Sequence, residues 1–323
     1  MSEGRQNQRV TGNGLVEILG AGIFAWKGLP SFGRQDLGYT PDGAQDRCSF
    51  LSGNILLGNP THHQALELVV PPAGVRFLSD CFFVLTGGRL TAELISEGPG
   101  HEQARDQAPG YKPAGHEAPG NKAPKPVEHA AVCFASAGSE LRFGRRAYGF
   151  RTYLCVAAAS GGQSKLAGRR RGAFDSAVSW PHPQGIIRVM DGPDRDYLVR
   201  PSDFFSIPWR TTRDVSAMGV RLAVGSESDD SMPQVRSEQL VSAPVCDGTI
   251  QMTPSGPIVL LRDRQTTGGY PRVFVVISPD IDLVAQYGPL QRIKFARVSA
   301  EEARRIGLLR QRDLQRLRER FPA

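Results

Sequence analysis

The sequence predicts a mainly β protein. Its 323 residues include 36 Gly and 24 Pro, a content that favours turns over long helices. Short runs of Val, Ile, Leu and Phe recur along the chain between Gly, Pro and Asp, the punctuation expected of strands in barrels or sandwiches. Alternating strand and helix units are not visible, which argues against a doubly wound sheet.

Residues 1–13 are polar and read as a disordered N-terminus. A first strand is expected at 15–19. Gly20-Ala21-Gly22-Ile23-Phe24-Ala25 follows and fits the loose GxGxxA dinucleotide pattern. Gly28 and Pro30 then deny it the helix N-terminus that would bind phosphate, so a simple turn is the better reading. A helix is expected at 48–57, closed by Gly58 and Asn59, with Asp46 placed either to cap it or to contact substrate. Strands follow at 66–70, 75–78, 82–85 and 90–95. From 97 to 130 the chain turns rich in Pro and Gly with almost no apolar residues. It cannot offset its own ordering entropy and reads as a disordered insertion in a hairpin.

Beyond it, strands are expected at 131–135, 140–143, 151–157, 186–190, 219–224, 249–253, 258–261, 273–277 and 293–298, with a short helix at 281–286. Residues 14–298 thus form the body of the protein. The tail at 299–323 reads as a basic helix, with Ser299 and Glu302 in capping-box spacing. Its apolar stripe (Ile306, Leu309, Leu314, Leu317, Phe321) is thin and suits packing on a surface or on a partner.

The net charge of +7 gathers at Arg169 to Arg171 and along the tail helix. No aromatic residues are interleaved to stack bases, so a solvated helix face is expected rather than nucleic-acid binding. No apolar run approaches the roughly 20 residues that a membrane helix needs, and the N-terminus lacks the apolar core of a signal peptide. Cytoplasmic residence without membrane attachment is therefore the expectation. Five widely spaced cysteines argue against a disulfide framework and a zinc site. His101, His116 and His129 each adjoin a Glu within or at the end of the insertion, but that segment offers no frame to hold a metal.

Residues 257–277 concentrate the chemistry. Two runs that read as buried strands flank Arg262, Asp263, Arg264, Gln265, Thr266 and Thr267, followed by Gly268 and Gly269. The side chains supply donors and acceptors, and the glycines permit a sharp turn or close approach to a ligand. A long hairpin loop that caps its own backbone would account for the same residues. No side chain here is an evident nucleophile, and the catalytic residues stay unassigned. No GxxxxGK[ST] phosphate loop, GxSxG elbow or HExxH helix occurs in the sequence.

Three segments together resemble one family. Gly256-Pro257-Ile258-Val259-Leu260, Asp263 and the run Gln265-Thr266-Thr267-Gly268-Gly269-Tyr270-Pro271-Arg272 are similar to the signature region of the biotin-dependent carboxyltransferase family. That family includes the C subunit of 5-oxoprolinase, the second subunit of allophanate hydrolase and the antagonist of the Kip-type kinase inhibitor. Gly43-Ala44-Gln45-Asp46, Leu57-Gly58-Asn59 and Ala65-Leu66-Glu67 resemble its GAxD, LxGN and ALE pattern, with Leu85-Thr86-Gly87-Gly88 and Gly192-Pro193 matching in order. The resemblance implies two cyclophilin-like β-barrel halves with few helices. It also implies a partner like the B subunit of 5-oxoprolinase, completed by one like the A subunit, in a complex that opens the lactam of 5-oxoproline to glutamate with ATP.

On that reading ATP is bound by a partner, and biotin enters only if the chain is the carboxyl-transfer half of a urea-type carboxylase. A further alternative is a non-catalytic regulatory subunit paired with a Kip-type inhibitor. The expected contacts to a small amide or lactam are Gln265, Thr266, Thr267 and Arg272 as orienting groups, Gly268 and Gly269 as close-approach backbone, and Asp46 and Asp263 as anchors. Three features of the family pattern are altered. Counted back from Asp46, its Gln-Asp-x-Gly-Arg run falls on Lys27-Gly28-Leu29-Pro30-Ser31; its Gly-Ser-x-x-Thr loop is missing; its Arg-Met-Gly segment reads Ala217-Met218-Gly219.

Overall fold

The computed structural model describes residues 14–96, 123–159, 185–225, 232–237 and 239–322. The N-terminal expectation at 1–13, most of the insertion with His101 and His116, and Arg169 to Arg171 lie outside these residues.

Two curled sheets carry the fold. The first contains β1 (Val16–Leu19), β2 (Ile23–Lys27), β3 (Ala65–Val70), β4 (Gly74–Phe77), β5 (Cys81–Ile95), β6 (Lys125–Pro126), β7 (Cys133–Ala135) and β8 (Glu140–Ala158). The second contains β9 (Ile186–Asp191), β10 (Trp209–Val215), β11 (Gly219–Val224), β13 (Thr249–Thr253), β14 (Gly256–Leu260), β16 (Arg272–Val276) and β17 (Lys294–Arg297). Between them in sequence, β12 (Ala243–Pro244) and β15 (Thr267–Gly268) make a separate two-stranded pair. The helices are α1 (Arg47–Leu56), α2 (Asp203–Ser206), α3 (Ser278–Val284) and α4 (Ala300–Arg320).

Two expected breaks are not breaks. The runs at 82–85 and 90–95 are one strand, β5, and those at 140–143 and 151–157 are one strand, β8. The pairing shifts register around Gly87 to Ala92, so the glycines make bulges that bend a continuous ladder. Gly87 and Gly149 both have positive φ, at 83° and 73°. A Cβ on Gly149 would lie 2.6 Å from the Gly88 Cα, which explains why glycines meet there.

The expected break at 97–130 also ends early. Lys125 and Pro126 pair with Leu94 and Glu93, and the Ala130 amide donates to the Leu85 carbonyl, so 123–130 are held against β5. The Gly20–Ala25 run leads into β2, an edge strand on β3, and not into a helix. Both β2 and β10 escape a hydrophobicity reading, because β2 is partly exposed and β10 is rich in Arg and Thr.

Each half has its own core. In the second, the buried Phe204 ring lies 5.0 to 5.3 Å, centroid to centroid, from Trp209, Phe274 and Phe295. Burying one such ring contributes about 1.5–3 kcal/mol. In the first, Val16, Leu68, Phe77, Phe83 and Leu154 fill the sheet's interior. A third cluster joins α1 to β5 and β8 and receives Leu317 from α4 and Phe321 from just past its end. The tail helix therefore docks on its own chain, with Ser299 accepting from the Glu302 amide at its start and Leu309 left 43% exposed. Among the described residues no helix is long and apolar enough to cross a membrane.

Candidate functional site

The two halves meet through polar groups. Asp46 caps α1: its carboxylate accepts from the Ser49 amide at 2.9 Å and from Gln286 Nε2 of the second half at 2.7 Å. It is fully buried, and burial followed by the nearby Asp282 charge pushes its carboxyl up to about 6. Arg262 spans the same seam. Its guanidinium donates to the Gln45 carbonyl at 3.0 Å, to Asp247 at 3.3 Å and to Asp282 at 2.6 Å. Asp282 in turn accepts from the Arg47 and Cys48 amides, so it holds the start of α1 as well.

Further along the seam, Asp263 accepts from Gln45 Nε2 at 2.8 Å and from Lys27 Nζ at 3.0 Å, while Lys27 also binds Asp42. Burial and the Asp42 contact raise the Asp263 carboxyl to about 6, against the pull of Lys27. Proton exchange near neutrality is therefore available at this end of the signature loop.

That loop is not a hairpin connection. Its flanking strands β14 and β16 both pair antiparallel with β13, one on each side, so the loop crosses over the face of β13 from one end to the other. Midway, Thr267 and Gly268 pair with Pro244 and Ala243. Beneath the crossing sits Gln251 of β13. Its Oε1 accepts from Gln265 Nε2 at 3.2 Å, and its Nε2 donates to the Tyr270 carbonyl at 3.3 Å. A Cβ on Gly268 would come within 2.5 Å of the Gln251 amide, so glycine is what lets the loop lie flat on it.

Alongside runs an open groove of about 590 Å³ lined by Arg213, Asp214, Ser216, Arg221, Gln251, Thr253, Gln265 and Tyr270, among others, with Asp214 3.8 Å from the Arg221 guanidinium. Arg221 donates to the Thr253 hydroxyl at 2.8 Å. The groove thus combines amide, hydroxyl and guanidinium groups with one carboxylate, two arginines to one acid, a set suited to a small planar amide that carries negative charge. The Asp263 amide donates to the Ala217 carbonyl, and Arg151 of the first half donates to the Ser216 carbonyl. One wall of the groove is thereby tied to the seam.

Among the site residues expected from sequence, only Gln265 lines the groove. Thr266, Thr267, Gly268 and Gly269 form the loop over β13, with Thr267 exposed and Gly269 beside the Leu240 carbonyl. Asp263 sits at the seam. Asp46 is sealed inside and serves as the helix cap. Arg272 is held by Asp194 at 2.6 Å and donates to the Pro244 carbonyl at 2.9 Å, a brace between β16 and β12.

Gln251, Arg213 and Arg221 carry no signal in the sequence. Gln251 sits in an ordinary strand pattern, and only pairing with the loop reveals its role. Lys27 stands out there only as a departure from the family pattern. The Gln-Asp-x-Gly run is in fact present at Gln35-Asp36-Leu37-Gly38, in a short exposed turn with Tyr39 in the arginine position. Among the described residues no cluster of three or more His, Cys, Asp or Glu side chains could hold a metal ion.

A family model for the carboxyltransferase domain, subdomains A and B, matches residues 37–168 and 159–297. The chain is 28% identical to the C subunit of 5-oxoprolinase from Escherichia coli (strain K12), over 94% of this chain and 97% of that protein. It is 25% identical to the C subunit of 5-oxoprolinase from Haemophilus influenzae, over 86% and 89%. The urea amidolyase of K. lactis shares the fold, with a TM-score of 0.73 at 17% identity. That match covers 94% of this chain and 20% of the much longer enzyme.

Proposed function

We propose, on the premise that this chain belongs to the carboxyltransferase domain family of subdomains A and B, that it is one subunit of a heteromeric, ATP-dependent amidohydrolase resembling 5-oxoprolinase. The observation that carries this reading is the groove in which Gln265 and Gln251 lie beside Arg213 and Arg221. A lactam bearing a carboxylate presents a planar N–H and C=O together with one negative charge, and these groups offer partners for each. The likeness to two proteins named as the C subunit of 5-oxoprolinase, over most of their length, supports the same reading and a multi-subunit assembly.

The chain's own residues bind and orient in this scheme. Gln265 and Thr253 set the plane of the amide, the arginines draw in its carboxylate, and Asp263, with its raised carboxyl, can hold a proton at the seam. ATP supplies the free energy for opening a stable lactam. The glycine-bearing loop does not suit its phosphates, because Thr267 and Gly268 are paired to β12 and Gly268 lies on Gln251. Phosphate binding is assigned to a partner like the A or the B subunit of 5-oxoprolinase. A second reading, a non-catalytic binding role, draws on the structural engagement of Asp46 and Arg272.

Affinity purification of the tagged chain from its native cells, with partners identified by mass spectrometry, tests the assembly. The purified complex is then assayed for ATP-dependent release of glutamate from 5-oxoproline. Activity that Gln265→Leu reduces about tenfold or more, with the complex intact, is the expected result. An intact complex with no such turnover overturns the lactam reading and leaves the non-catalytic one. Recovery of a biotinylated carboxylase instead points to carboxyl transfer.

A further inference from the structure

We infer that Gln251 is a positioning residue that fixes which atom of Gln265 meets the ligand, and so sets a preference for ligands that donate an N–H. The inference rests on the amide reading of the groove given above. Its basis is a chain of donors and acceptors with no freedom at one end. The Tyr270 backbone carbonyl can only accept, so the Gln251 group 3.3 Å from it must be the amide nitrogen. The Gln251 oxygen is then directed the other way, where it lies 3.2 Å from the side chain of Gln265. Gln265 must answer with its nitrogen. Its carbonyl oxygen is the polar atom left to accept from a ligand in the groove.

The surroundings hold this arrangement. Gln251 is 1% exposed and sits on the central strand β13, between Ile258 and Arg272 in register. The pairing with β16 shifts between Ile250 and Gln251, an irregularity at the point where the loop crosses. Gly268 packs directly on the Gln251 amide, and turning that amide over would set its oxygen against the Tyr270 carbonyl. A ligand carbonyl or ether oxygen brought to the Gln265 Oε1 meets like partial charge, whereas an amide N–H meets an acceptor.

The experiment compares, in the reconstituted complex, the KM for 5-oxoproline with the inhibition constant of the corresponding lactone, which has the same ring and carboxylate but no N–H. The wild type should favour the lactam by about tenfold or more. Gln251→Leu, which frees the Gln265 amide to turn, should bring the ratio close to one. Gln251→Glu, whose carboxylate still accepts from Gln265, should keep the preference even where overall activity falls. Parallel losses for both ligands in both variants, with the ratio unchanged, would reduce Gln251 to a structural residue and overturn the inference.

A second readout does not depend on turnover. In nitrogen-15 spectra of the complex, the Gln265 side-chain amide protons should be protected from exchange in the wild type and in Gln251→Glu, and exposed in Gln251→Leu. A complex inactive on 5-oxoproline with this pattern intact overturns the substrate reading alone. Equal protection in all three proteins overturns the positioning role.

Discussion

At Gly268 an added methyl group would sit 2.5 Å from the far end of the Gln251 side chain, a flexible neighbour, and the residue has no strained φ. Gly268→Ala should therefore fold with a stability change within about 1 kcal/mol yet displace the Gln251 amide. The expected outcome is a KM raised about tenfold with an almost unchanged unfolding temperature, read by steady-state kinetics and thermal melting. Asp263 yields a pH prediction. Its carboxyl ordinarily titrates at 3.8 and is raised to about 6 in the folded protein. The folded state thus holds a proton that the unfolded chain has released, and this contribution to stability is complete below 3.8 and lost as pH rises through about 6. Asp263→Asn should flatten the stability profile between those values in urea melts taken across the range. Of the residues in play, Gln265 and Asp263 were legible from sequence because a polar, glycine-bearing loop between two apolar runs is unusual. Gln251 was not, since nothing in Thr249–Thr253 differs from any half-buried strand until the loop is laid across it.

Among the elements, β5 and β8 are the backbone of the first half, and their bulges decide its curvature. Gly149 has φ at +73° and faces the Gly88 Cα, a backbone atom that cannot move aside. Gly149→Ala should cost about 2–4 kcal/mol, measurable as a lower midpoint in chemical denaturation. The sequence presented these glycines as turn signals, and a turn and a bulge demand the same positive φ. Only the pairing across 13 register positions, from Cys81 with Ala158 to Ile95 with Glu140, shows that the ladder continues through them. Helices were easier to place, because caps are local. Asp46 and Ser299 each accept from an amide three residues on, and both positions could be read from residue type and spacing.

Over the whole molecule, the two halves are tied together by buried charges and amides at the seam and by the tail helix, whose Leu317 joins the first half's apolar cluster. Arg262 is the central one, reaching Gln45, Asp247 and Asp282 at once while only 3% exposed. Arg262→Ala would leave Asp282 without its cation and should cost about 3–5 kcal/mol. Calorimetry should then show two unfolding transitions where the unaltered protein is expected to show one, as each half melts on its own core. The sequence by itself determined the strand-rich class, the capped helices and the loop that carries the polar groups, because propensity, periodicity and turn chemistry act over a few neighbouring residues. Which strands pair, that the loop crosses β13, and that Lys27 and Gln45 meet Asp263 from the far end of the chain were decided by the tertiary structure alone. Those contacts follow from how two curled sheets close on each other, and no local pattern encodes that closure.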